Sequence, residues 1–115
     1  MEPQAKYSAM YCRFQTFAAD AQERYPEIQS ILKPLTQVSS LSVFLIFFKG
    51  APESQNLLEI CRNADEEYQT AEVDKVVEQM LAQHNLDADK FDPKDRAKLV
   101  KYLRVFSDLA LNGIE

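Results

Sequence analysis

The sequence has little glycine and no tryptophan. Only Gly50 and Gly113 are glycines among 115 residues, and five residues are proline. All-β sandwiches and barrels need many tight turns, for which glycine is a main building block, so this composition disfavours them. Phosphate-binding loops of the Rossmann and P-loop types need several glycines close together. The two glycines lie far apart in the chain, and both nucleotide-binding motifs are therefore excluded.

Metal-ligating and nucleophilic side chains are also scarce. The chain has two cysteines, Cys12 and Cys61, and one histidine, His84. Zinc ligands come in closely spaced pairs, and these three residues show no such spacing. We therefore expect no metal and no cofactor. Both cysteines are interpreted as reduced thiols, because the N-terminus lacks the basic segment and apolar run of a secretory signal.

Long apolar stretches are absent as well. The longest, residues 43–48, is far shorter than the ~20 residues that span a bilayer. We expect no membrane span and a cytoplasmic location. Hydrophobic residues make up 46% and charged residues 27% of the chain, which is typical of a folded domain. A chain of this length can bury one core, so we expect a single domain over residues 1–115.

Apolar residues recur at steps of three and four along most of the chain, which indicates amphipathic helices. The spacing predicts a first helix over residues 4–24 and a second one that begins at Pro26 and stops before Pro34. The first helix carries an aromatic stripe that could stack on nucleic-acid bases or line a ligand pocket. Aromatic residues at helical spacing more often belong to the hydrophobic core. The stripe consists of Tyr7, Tyr11, Phe14 and Phe17.

The second half of the chain contains three further predicted helices. The fourth helix is predicted to begin at Pro52 and to include Tyr68, and Thr70 is predicted to cap the fifth. A polar linker over residues 85–91 follows. Residues 92–95, Asp-Pro-Lys-Asp, form a strong helix start, and residues 112–113 close that last helix.

Residues 39–49 are the most ambiguous segment, because Val, Ile and Phe favour strands and six consecutive apolar residues show no period. We predict a third helix, since a serine offers an N-cap, Gly50 offers a stop, and no other segment could pair with a strand. A helix that is apolar all round belongs in a bundle centre or an oligomer interface. The predicted fold class is all-α, a compact bundle or irregular array of five to six helices.

None of the candidate catalytic or cation sites in the sequence has the residue pattern that its chemistry requires. Aligned as a calcium loop from Asp87, the acidic linker has Asp92 where glycine is needed and Lys98 where glutamate is needed. Cys61 lies on an apolar helix face and behaves as a small hydrophobe there. The carboxylates of the fourth and fifth helices point away from the apolar stripes, as a solvated face does. An enzyme is therefore the least favoured class of function.

The net charge of −5 hides a separation of charge along the chain. Residues 53–89 carry −8 and residues 90–104 carry +4. Nucleic acid is disfavoured as a partner, because an acidic chain repels a polyanion over most approaches. We expect the basic residues of the last helix to contact an acidic partner, or else to pack beside the acidic helices or remain solvated. These residues recur at steps of four, three and three and are Lys94, Lys98, Lys101 and Arg104.

Two function classes remain open. The first is a non-catalytic interaction, assembly or regulatory module that docks a protein partner or a second copy of itself through exposed helix faces. Its support is the two-sided apolarity of residues 39–49 and of the last helix, where Val100 and Leu111 lie outside the main stripe. The second is a small helical protein that binds a hydrophobic ligand in a cavity lined by aromatic residues and by Met10 or Met80.

Overall fold

The computed structural model describes the backbone of residues 3–113 and the side chains of residues 5–113. Over this range the chain forms six α-helices and no strand, so the predicted all-α fold is confirmed. Short 3-10 turns lead into the second, fourth and sixth helices. Met1 and Glu2, on which the expectation of no secretory signal partly rests, lie outside the described residues. The helices are α1 (Pro3–Arg24), α2 (Gln29–Thr36), α3 (Leu41–Gly50), α4 (Gln55–Cys61), α5 (Glu66–Gln83) and α6 (Pro93–Asn112).

Helix α6 lies at the centre of the arrangement and packs against α3, α4 and α5. Its side chains are buried on more than one side: Leu103 and Phe106 are enclosed, and Val100 is 4% exposed although the sequence placed it outside the main stripe. The Asp92 carboxylate accepts a hydrogen bond from the Lys94 amide, as the predicted helix start requires. Gly113 follows the helix at φ +83°, a conformation that favours glycine.

Two residues of the aromatic stripe of α1 lie in the core, as predicted, and Tyr7 and Phe17 are partly buried against it. Tyr11 and Phe14 are fully buried, and their rings lie 4.7 and 6.3 Å from the ring of Phe44 in α3. Phe106 of α6 completes this cluster, 5.0 Å from Phe14 and 4.9 Å from Phe44. Edge-to-face contacts at such distances stabilise beyond their buried area. The cluster ties α1, α3 and α6 together.

Helix α2 continues through Pro34, so the predicted stop before that residue was wrong. The carbonyl groups at the end of α2 and beyond it are held by side chains of α1. The single proton of the Tyr11 hydroxyl is shared between the Val38 oxygen at 2.6 Å and the Leu35 oxygen at 3.1 Å, and the Gln15 amide donates to the Val38 oxygen at 3.0 Å. These tertiary hydrogen bonds offset the local cost of a proline inside a short helix.

The boundary between α4 and α5 also differs from the prediction. The fourth helix ends at Cys61, and the fifth begins at Glu66 because the Asp65 carboxylate accepts hydrogen bonds from the Glu67 and Tyr68 amides. Thr70, the predicted cap, lies inside α5, and its hydroxyl donates to the Glu66 oxygen. Aspartate is a strong N-cap, and here it acts five residues before the threonine.

The linker over residues 85–91 is mostly polar in sequence, but its apolar residues are buried. Leu86 and Phe91 are 2% and 1% exposed, and the ring of Phe91 lies 4.7 Å from that of Tyr25. Asn85 adopts φ +64°, which ends α5 in a left-handed residue and turns the chain back over the core. The linker therefore contributes to the hydrophobic core rather than spanning solvent.

No individual helix among residues 3–113 combines the length and apolarity needed to cross a bilayer. The segments Pro26–Thr36 and Leu41–Gly50 have that length and apolarity only when they are counted together, and the chain bends by 117° between them.

Candidate interaction surfaces

Helix α3 exposes an apolar ridge on the side opposite its buried face. Val43, Ile46 and Phe47 are 43%, 71% and 64% exposed, and we call these three residues the α3 ridge. They lie at positions i, i+3 and i+4, which share one face of a helix. The other face carries Leu41, Phe44, Leu45 and Phe48, all of which are buried. The helix that was predicted to be apolar all round therefore has one buried apolar face and one exposed apolar face.

The α3 ridge is held by fixed contacts at both ends of the helix. Before α3, the Tyr11 and Gln15 side chains bind the Val38 carbonyl. After it, the Gln55 side-chain amide donates to the carbonyls of Lys49 and Ala51 at 2.9 and 3.0 Å. These bonds connect α3 to α1 and α4 and orient the ridge relative to the core.

A groove of about 550 Å³ runs between α5 and α6 and is open to solvent. Its apolar floor consists of Ala71, Ala97 and Val100, and we call it the α5–α6 groove. The small alanine side chains leave the space that forms it. Its remaining lining comes from α5 alone and is polar and mostly acidic: Glu66, Glu67, Thr70 and Asp74.

Ion pairs between α5 and α6 lie beside this groove. The Arg96 guanidinium donates to both oxygens of Asp74, at 2.7 and 2.8 Å, and to Glu78 at 3.1 Å. These hydrogen bonds raise the pKa of Arg96. A third carboxylate, that of Asp95, is buried and binds Arg24 of α1 at 2.6 Å, which raises the pKa of Arg24. The sequence identified Asp95 only as part of the start of the last helix; its burial depends on where α1 ends, which no local pattern reveals.

The four basic residues singled out in α6 do not act as one group. Lys94 and Lys101 are exposed. The Lys98 ammonium lies 5.9 Å from the ring centroid of Phe17, on the side of α1. Arg104 is half-buried and turns to α5, where it donates to the Gln69 side-chain oxygen at 3.4 Å. Arg96 and Arg104 are therefore the basic residues that pack beside acidic α5. The contact of the lysines with an acidic partner remains a prediction.

The cysteines and the histidine occupy separate environments. Burial raises the pKa of the Cys61 thiol, an effect that the Ser107 hydroxyl partly opposes, whereas Cys12 is exposed on α1. The Nδ1 atom of His84 lies 3.2 Å from the Ser30 hydroxyl. Within residues 3–113, no three side chains of the His, Cys, Asp or Glu type come together in a way that could hold a metal ion.

The apolar space between α2, α5 and α6 gives little support to a ligand cavity. It is lined by nine apolar residues that include Ile31, Met80 and Leu99, and it encloses about 10 Å³. A single water molecule needs that much room. The aromatic rings of α1 and α3 pack on one another rather than around a space.

No family model, curated protein or solved structure matches this chain. Function is therefore inferred from the chemistry of its own surfaces.

Proposed function

We propose that this chain is a non-catalytic protein–protein interaction module whose α3 ridge binds an amphipathic helical segment of another protein. The observation that carries the proposal is the exposure of Ile46 and Phe47, 71% and 64%, on a single helix face. Removing a large apolar side chain from water stabilises a complex by about 1.5–3 kcal/mol when burial is complete. Two neighbouring side chains of this kind form the centre of a small binding site.

The size of the ridge favours a short segment of a different protein over a second copy of the chain. Helix α3 has ten residues and is about 15 Å long. Three side chains along this length bury much less than the roughly 800 Å² per partner of a standard stable interface. A short amphipathic helix, with its own apolar residues at steps of three and four, fits such a ridge and binds it reversibly.

The fixed orientation of α3 lowers the cost of binding. Because Gln15 binds the Val38 carbonyl, three residues before the helix, and Gln55 binds the Lys49 carbonyl at its end, little backbone must be ordered when a partner docks. Lys49 is the one charged residue between Leu41 and Gly50, so it is the one position of α3 at which charge can contribute to partner binding. The preferred segment is apolar along its contact stripe and carries a carboxylate at the end that meets Lys49.

The environment of the buried thiol supports a packing role for Cys61 rather than a catalytic one. A nucleophilic cysteine needs a lowered pKa, and burial raises the pKa of Cys61 instead. Its neighbour Ser107 is fully buried and donates its hydroxyl proton to the Leu103 carbonyl at 2.7 Å. Both side chains therefore act in packing.

The test replaces Phe47 by the photo-crosslinking residue p-benzoylphenylalanine in the protein's native cell. The crosslinked protein is identified by mass spectrometry, purified, and titrated with the chain by calorimetry. We expect Ile46→Ser with Phe47→Ser to weaken its binding by at least about tenfold without lowering the melting temperature. Tyr68→Ser is the matched control, because Tyr68 is an exposed aromatic residue of α5 at 42% exposure.

Three results would contradict the proposal. One is crosslinking only to a second copy of the chain, and another is no crosslinked product at all. The third is an identified partner whose affinity is the same for the wild-type chain and the double variant.

A further inference from the structure

We propose that the surface around the α5–α6 groove is a homodimer interface, in which α5 of each copy packs against α6 of the other. The proposal concerns a different surface from the α3 ridge and does not depend on it. It rests on the shape of the groove and on the opposite charges of its two sides.

Helices α5 and α6 are antiparallel, as their cross-links show. Arg96, near the start of α6, reaches Asp74 and Glu78, whereas Arg104 reaches Gln69, near the start of α5. The start of α5 therefore lies beside the second half of α6. Along α5 the exposed charges on the groove side are acidic, from Glu67 to Glu78.

The first half of the α6 side of the same surface is basic, and the exposed Asp108 lies two turns beyond Lys101. Lys94 and Lys101 are exposed, and neither forms an ion pair within residues 3–113. Helical spacing places Lys101 one turn from Ala97, on the rim of the groove opposite α5. The surface therefore has an acidic half and a basic half, separated by an apolar floor.

A two-fold axis along the groove makes this surface complementary to itself. Such an axis exchanges the two sides of the groove but keeps the direction along it. Glu67 of one copy then lies about one helical turn along the groove from Lys101 of the other copy, a distance that the two long side chains can span. Glu78 of the first copy faces Lys94 of the second, near the opposite end. An axis across the groove would instead place α5 on α5, where like charges repel.

The small side chains of the floor permit the two copies to approach. Ala71 and Ala97 are exposed although apolar, and Val100 lies beneath them. Small residues allow helices to pack at the short end of the usual 8–10 Å spacing. Both copies supply two helices, so the dimer has a four-helix interface, with apolar residues at its centre and ion pairs at its rims.

Charge reversal tests this arrangement, because the two sides can be reversed separately. The first variant is Glu67→Lys with Glu78→Lys, and the second is Lys94→Glu with Lys101→Glu. Each variant alone places like charges across both halves of the dimer. Mixed together, they restore opposite charges at both contacts. Native mass spectrometry separates the three possible dimers by mass, and sedimentation gives the dissociation constants.

We expect the wild-type chain to dimerise at about 50 μM in 50 mM salt and to dissociate at least about tenfold more readily in 0.5 M salt. Each variant alone is monomeric, and an equimolar mixture forms the heterodimer. Lys33→Glu is the matched control, because Lys33 is an exposed lysine of α2 that does not line the groove; it dimerises as the wild type does. Ile46→Ser with Phe47→Ser also dimerises normally, which separates this surface from the α3 ridge.

Several outcomes would overturn the proposal. A wild-type chain that is monomeric at about 500 μM in low salt leaves the groove to another protein. Variants that dimerise like the wild type, or a mixture that stays monomeric although each variant keeps its helical circular dichroism, would show that the charges are only solvated. Loss of dimers in the α3 double variant would place the interface on the α3 ridge instead.

Discussion

Helices α3 and α6 both carry apolar residues on more than one side, but only α6 buries them. Val100 is 4% exposed, whereas Ile46 is 71% exposed. Helix α6 packs against three helices, α3, α4 and α5, while α3 leaves the side opposite its core contacts open. Surplus apolar residues in a sequence therefore indicate either a central helix or a binding surface. Only the number of neighbouring helices distinguishes the two.

The largest expected effect comes from truncating one phenylalanine in each helix. Phe106 of α6 is fully buried among aromatic rings, and Phe47 of α3 is 64% exposed. We expect Phe106→Ala to lower the free energy of unfolding by about 3–5 kcal/mol, because it removes the ring and leaves a cavity. Phe47→Ala changes it by at most about 0.5 kcal/mol. Urea unfolding at low protein concentration measures both.

Similar losses for the two alanine variants would contradict this comparison. They would mean that the α3 ridge contributes to the folded monomer, and that its exposure does not mark a binding surface. A third variant, Tyr68→Ala, provides the reference for an exposed aromatic residue on another helix.

The second effect concerns the charged residues of the two helices. Arg96 of α6 binds Asp74 and Glu78, whereas Lys49 of α3 is exposed and has no ion pair among residues 3–113. We expect Arg96→Met to cost about 1 kcal/mol, since Asp74 is partly exposed and water screens the pair. Lys49→Met costs nothing measurable. Thermal unfolding at low and high salt checks this, and the loss for Arg96→Met shrinks at high salt.

An equal loss at both salt concentrations would contradict the electrostatic explanation. It would assign the effect of Arg96 to the packing of its hydrocarbon chain against α5. Arg96→Lys separates the two contributions, because it keeps the charge but removes the paired hydrogen bonds to Asp74.

Much of the fold follows from local patterns in the sequence. The start of α6 at Pro93 and its end before Gly113 were predicted correctly, because capping residues act within one turn of the helix end. The stop at Pro34 was predicted wrongly, since Tyr11 stabilises the end of α2 from a distant helix. A local rule holds until a tertiary contact of comparable free energy opposes it.

The candidate surfaces were less accessible to sequence analysis. The ridge helix was identified by composition, but Ile46 and Phe47 could not be distinguished from Phe44 and Phe48 as the exposed pair. The α5–α6 groove was missed, because Ala71 and Ala97 define it by the space that they leave. Small residues give no signal in a hydrophobic pattern. Which residues form each surface depends on where the neighbouring helices pack.

The smallest expected effect is a pH dependence that arises at the inner side of the bundle, where Cys61 of α4 lies against α6. Burial raises the pKa of this thiol above its usual value of 9.0, and it likewise raises that of Tyr11. An unfolded chain releases the thiol proton at the usual value, whereas the folded chain retains it to higher pH. The contribution is therefore fully present below about pH 9 and is lost as the pH rises further, by at most about 1.4 kcal/mol per pH unit.

Cys61→Ala isolates the thiol, because Tyr11 is present in both proteins and contributes equally. We expect the free energy of unfolding to fall less steeply between pH 8.5 and 10.5 in the variant than in the wild type. Val76→Ala provides the control, since it removes a buried side chain that does not titrate and should lower stability by the same amount at every pH. Parallel pH profiles for the wild type and Cys61→Ala would show that the thiol is hydrated in the folded state. In that case α4 would pack less tightly against α6 than the low exposure of Cys61 indicates. The difference between buried α6 and the exposed side of α3 would then be smaller.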